Sequence, residues 1–97
     1  MNSLSGVLKS IRKFNRLTQL ELSKKIGVSR SYISEIENSE KIPSVEILRK
    51  YSEVFDIPLS AILLFTENWD DKLSIKNKLK RILTKTTLEF FNWICKK

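Results

Sequence analysis

The stretch Thr18–Asn38, TQLELSKKIGVSRSYISEIEN, decides the fold. Thr18-x-x-Glu21 is a capping box, in which the hydroxyl takes an early orphan N–H and the Glu side chain reaches back to the backbone. Leu22 and Ile26 follow at helical spacing. Gly27 ends that helix where a left-handed residue is needed, a conformation that glycine adopts at low cost. Ser29 then caps a second helix whose inward positions are Ile33 and Ile36. At about 100° per residue, Ser31, Ser34 and Glu35 fall opposite the two isoleucines, with Arg30 and Tyr32 flanking them. A DNA major groove admits one helix and offers donors and acceptors to short polar side chains. Arg30 suits guanine and Glu35 suits a cytosine amino group, while the serines can donate or accept. A Glu35 that is merely solvated or paired with an arginine is the competing reading.

Upstream, Leu4, Val7, Leu8, Ile11 and Phe14 recur at helical spacing and predict a helix over residues 4–14. Downstream, Pro43 stops the chain and Ser44 caps a fourth helix that offers Val45, Ile47, Leu48, Tyr51 and Phe55 to a core. A short fifth helix starts near Pro58, where a missing N–H does no harm, and supplies Leu59, Ile62, Leu63 and Phe65. No β-alternation or internal repeat occurs. The expected class is all-α.

The 97 residues suffice for one small domain with an appendage, and a core of that size is marginal. The single Cys95 closes no internal disulfide, and with no His there is no recognisable zinc site and no His-based triad. No leader-like or membrane-spanning apolar run is present, so the expected location is cytoplasmic. No enzyme activity, cofactor or metal is expected. The net charge of +7 is uneven: residues 1–38 carry seven basic side chains against three acidic, 39–71 three against seven, and 72–97 eight against one. Basic ends around an acidic middle fit a polyanion held at a defined face, and fit a plain solvated surface as well.

On Ile11-Arg12, Thr18-Gln19-x-Glu21-Leu22, Ile26-Gly27-Val28-Ser29, Ile33-Ser34-x-Ile36-Glu37-Asn38, Pro43-Ser44 and Leu48, the chain resembles the Cro/C1-type helix-turn-helix family, the xenobiotic-response-element-like regulators. The resemblance covers residues 4–66 and implies a five-helix, lambda-repressor-like domain that binds double-stranded DNA as a dimer, its third helix in the major groove. It implies phosphate contacts from Gln19, Ser29 and Asn38, base contacts from Arg30, Ser31 and Glu35, and an internal ion pair between Arg12 and Glu37. Ser34 and Tyr32 join the base-reading set from their place on the helix. The chain departs from the family pattern at Ser23 and Ser52, where Ala is frequent, and at Ser39 and Asp56, where Gly is frequent. Ser23 and Ser52 fit if their hydroxyls bond back along their helices, and Asp56 because Asp visits the left-handed region more readily than most residues.

Residues 1–66 thus read as the DNA-binding domain and 67–97 as a C-terminal amphipathic extension. Ile75, Leu79, Ile82, Leu83, Thr86, Phe90, Trp93 and Ile94 line one stripe, roughly 120° wide, of a single long helix. A break at the second capping box, Thr86-x-x-Glu89, is the alternative. The stripe can pack on its own subunit, pair with a second copy or lie on a membrane. Pairing through Leu79, Ile82, Leu83, Phe90, Trp93 and Ile94 is the expectation, because one domain reads a half-site and a partner is needed about 34 Å away. The expected function is a sequence-specific regulator, a repressor binding a near-palindromic operator as a homodimer, of prophage, plasmid, restriction-system or antitoxin type. Induction is expected through a regulatory protein partner, proteolysis or loss of the oligomer, and no membrane is involved. The alternative is a protein-interaction adaptor or anti-repressor on the same scaffold.

Overall fold

The local chemistry of five serines and threonines sets where most helices begin. In the computed structural model, which describes residues 3–66, 76–78, 80 and 84–96, α1 spans Leu4–Phe14, α2 Gln19–Ile26, α3 Arg30–Glu37, α4 Val45–Phe55, α5 Leu59–Leu64 and α6 Lys85–Cys95. Ser3, Thr18, Ser29, Ser44 and Thr84 each stand in extended backbone and accept an N–H from the first turn that follows. The Thr18–Glu21 capping box is complete in both directions. No strand occurs among the described residues.

The chain reverses through left-handed residues. Gly27 closes α2 at φ 86° and donates to the Ser23 carbonyl at 2.8 Å. Asp56 closes α4 at φ 53°, ψ 43°, and Ser39 takes φ 61° directly after α3. Two non-glycine residues therefore hold the conformation that the family pattern gives to glycine. The Ser23 hydroxyl, 2 % exposed, donates back to Leu20 O at 2.6 Å, which satisfies a polar group inside the α2 contact.

One hydrophobic cluster among the described residues draws on each of α1 to α6. Val7, Leu8 and Ile11 of α1 meet Leu22 of α2, Ile33 and Ile36 of α3, and Tyr51 of α4, all with no exposed surface. Burial pushes the Tyr51 phenol above its ordinary range, and the nearby Glu37 carboxylate pushes in the same direction.

The C-terminal helix differs from expectation in two ways. The single long helix is interrupted at Thr84, whose backbone is extended at φ −104°, ψ 164°. Its hydroxyl oxygen accepts the Thr87 N–H at 3.1 Å and its proton reaches the Asp56 carbonyl at 3.2 Å, so the break is stabilised from both sides. Thr86 lies inside α6 and does not cap it. Second, Phe90 is fully buried and Ile94 is 5 % exposed within the chain's own core. Phe90 meets Phe65 edge-on at 5.0 Å and Phe14 at 5.5 Å, and Trp93 packs on Phe14 at 5.3 Å. Phe90 and Ile94, expected at a pairing seam, are thus enclosed within the chain's own core, as the self-packing alternative has it. The half-buried Trp93 joins them at the edge. Leu79, Ile82 and Leu83 lie outside the described residues, as does Ile75.

Candidate nucleic-acid interface

Helix α3 is seated by Ile33 and Ile36, both fully buried. Its opposite side carries Arg30 and Ser31, which are exposed, and Tyr32, Ser34 and Glu35, which are half-buried. Eight helical residues at about 1.5 Å each make a rod about 12 Å long, comparable to the width of a major groove.

The proposed anchors bracket this rod. Ser29 is exposed at its N-terminus, where its hydroxyl oxygen accepts the Tyr32 N–H at 3.0 Å and its own proton remains to be donated. Asn38 is exposed at its C-terminus, with Nδ2 donating to Ser34 Oγ at 3.3 Å. Gln19, at the start of α2, is brought to the same end through Glu37: its Nε2 donates to Glu37 Oε1 at 3.2 Å. One amide proton and the amide oxygen of Gln19 are left over from that bond.

Glu37 is the hub of this arrangement. Arg12 Nε donates to its Oε2 at 2.7 Å and Arg12 Nη2 to its Oε1 at 2.9 Å, while Nη1 donates to Leu17 O at 2.7 Å. The Glu37 side chain is 1 % exposed and that of Arg12 11 %. The hydrogen bond to Glu37 raises the Arg12 pKa above its ordinary value, against the opposing effect of burial. All three guanidinium nitrogens are thereby engaged inside the protein, and the pair joins α1 to α3.

One residue of this surface carries no signal in the helical spacing. Lys41 Nζ lies 3.9 Å from Glu35 Oε1 and 5.2 Å from the centroid of the Tyr32 ring. It reaches back because Ser39 turns the chain and the Glu35 carbonyl accepts both Glu40 N–H at 2.8 Å and Lys41 N–H at 3.2 Å. Only the left-handed turn at Ser39 brings the ammonium over α3.

The helix-turn-helix family profile matches residues 8–62, which contain α2, α3 and α4 complete. The chain belongs to the Cro/C1-type helix-turn-helix family. It is a DNA-binding regulator of that family. The ImmF control region 10 kDa protein of Bacillus phage phi105 is 36% identical over 64 residues, 66% of this chain and 70% of that protein. The immunity repressor protein of the same phage is 39% identical over 56 residues, 58% of this chain and 39% of its own. SinR, a helix-turn-helix-type transcriptional regulator of Bacillus subtilis, is 39% identical over 57 residues, 58% of this chain and 51% of its own. No solved structure gives a significant match. Helix α6 of this helix-turn-helix chain lies outside the matched residues although it shares their core. No described helix is long and apolar enough to cross a membrane.

Proposed function

We propose that the protein is a transcriptional repressor that binds a near-palindromic operator as a homodimer, occluding a promoter. The observation that carries this reading is the exposed Arg30–Ser31 ridge on a helix seated by Ile33 and Ile36, with Ser29 at one end and Gln19 and Asn38 at the other. Arg30, Ser31, Tyr32, Ser34 and Glu35 read base edges. Ser29, Gln19 and Asn38 hold phosphates, aided by the positive ends of the α3 and α2 dipoles at the first two. The phage repressor among its relatives favours a prophage, plasmid, restriction-system or antitoxin setting. Pairing of two copies uses a surface other than the Phe90–Ile94 face, which the subunit's own core occupies.

The test is a mobility shift on the DNA upstream of the protein's own gene, at low and rising salt. A specific shift is expected, weakening with a log–log slope of roughly 0.9 per neutralised phosphate. A folded protein that shifts no DNA at low salt refutes the regulator reading in favour of an adaptor.

A further inference from the structure

We propose that Lys41, in the loop after α3, is a positioning residue for base selection: it holds the Glu35 carboxylate and the Tyr32 ring in the geometry with which α3 meets the bases. The inference rests on the DNA-reading assignment of α3 and goes beyond it by adding a residue outside that helix.

A carboxylate on a helix that enters a major groove is repelled by the phosphates on both sides, unless a cation or a base donor compensates it. Glu35 is half-buried on that face, and Lys41 is the cation beside it, at 3.9 Å. The same ammonium sits over the Tyr32 ring at 5.2 Å, so one charge fixes two neighbours of the reading ridge. The loop is not free to drift. Glu40 N–H and Lys41 N–H both donate to the Glu35 carbonyl, Ser39 N–H donates to Ile36 O at 3.2 Å, and the Ser39 hydroxyl bonds to the Ser5 hydroxyl at 2.6 Å. In the free protein the ion pair is half in water, with side chains 51% and 39% exposed, and contributes little to stability. A duplex laid over α3 removes that water and lowers the local dielectric, so the pairing gains weight at the moment the base is read. Lys41 thus cancels the charge that would repel the backbone and leaves a Glu35 oxygen free to accept from a cytosine amino group.

The experiment selects bound sequences from a double-stranded DNA pool randomised over both half-sites, using the full chain, Lys41→Met, Lys41→Arg, Glu35→Gln and the double variant Lys41→Met/Glu35→Gln. Lys41→Met keeps the aliphatic stem and loses the charge. The expected result is that Lys41→Met and Glu35→Gln lose the preference at the same base position, from about tenfold to near parity. The double variant loses no more there, and Lys41→Arg retains the preference. A Lys41→Met protein that binds every sequence more weakly by one common factor, with its preference intact, overturns the proposal and makes Lys41 a phosphate contact. Loss of preference at a different position from Glu35→Gln also overturns it. If the unaltered protein selects no sequence at all, the DNA-reading assignment fails first and this inference falls with it.

Discussion

Arg12 and Glu37 are joined by two parallel hydrogen bonds, of 2.7 and 2.9 Å, that cross from the first helix to the third. The Glu37 oxygen that accepts the longer one also holds Gln19, so the ion pair supports both the core and a proposed phosphate anchor. Glu37→Ala leaves Arg12 buried beside no carboxylate and is expected to cost roughly 3–5 kcal/mol in urea unfolding. Arg12→Met combined with Glu37→Leu should recover most of that stability without restoring DNA affinity, because Gln19 stays unanchored. A Glu37→Ala protein with an unchanged unfolding midpoint would falsify the hub role.

Base and phosphate contacts separate by their selectivity. Arg30→Ala or Ser31→Ala should change which sequences are preferred, each lost base contact amounting to roughly 1–3 kcal/mol. Gln19→Ala should weaken binding to all sequences alike and leave the salt slope nearly unchanged, because a neutral amide releases no counterion from the phosphate it holds. Competition binding against shuffled operators distinguishes the two, and identical profiles from Arg30→Ala and Gln19→Ala would rule out this division of labour.

The burial of Phe90 between Phe14 and Phe65 makes α6 a structural element of the subunit. Phe90→Ala is expected to lower the unfolding free energy by roughly 3–5 kcal/mol, as for other large-to-small changes in cores. Truncation after Thr66 should lower the melting temperature for the same reason, since it uncovers Phe14 and Phe65. Unfolding followed at several protein concentrations checks this: a loss independent of concentration belongs to the subunit, whereas one that vanishes on dilution points to an interface.

Asp56 keeps a left-handed backbone at φ 53° in order to end α4. Glycine there relieves the steric cost and gives back part of the gain through a more flexible unfolded chain. Asp56→Gly is therefore expected to raise stability by about 0.5 kcal/mol, and Asp56→Val to lower it by about 1 kcal/mol. Equal denaturation curves for the two variants would contradict the conformational argument.

The Glu21 carboxylate accepts the Thr18 N–H at 2.9 Å. That bond, then the Thr18 hydroxyl and, more weakly, Lys25, lower its pKa below the ordinary carboxylate value. A folded pKa below the unfolded one means that the cap stabilises at neutral pH and that its contribution disappears as pH falls through the folded value. Glu21→Gln keeps an acceptor at this position but does not titrate. Its stability should fall less steeply than that of the unaltered protein across the acid limb, as measured by urea unfolding at stepped pH.

Much of α1–α5 was legible in the sequence because caps and stops act over three or four residues. Thr18 with Glu21, Gly27, Ser29 and Ser44 fix helix ends with hydrogen bonds to their near neighbours, and Ile33 and Ile36 define the inward side of α3 by spacing alone. The polar ridge opposite them follows from the same 100° rotation. Lys41 was not legible, since its approach to Glu35 and Tyr32 depends on a left-handed serine at Ser39.

By itself, then, the sequence determined the first five helices, the caps at Thr18, Ser29 and Ser44, the seated third helix and the family. Only the tertiary structure decided that Phe90 and Ile94 lie in the chain's own core, that Thr84 breaks the last helix, and that Gln19 is tied to Glu37 across 18 positions. The reason is physical. Capping and periodicity are local and leave their mark in adjacent residues, whereas an apolar stripe specifies only that it must be buried. What buries it is settled by the shape of the surfaces on offer, here the aromatic recess between α1 and α5.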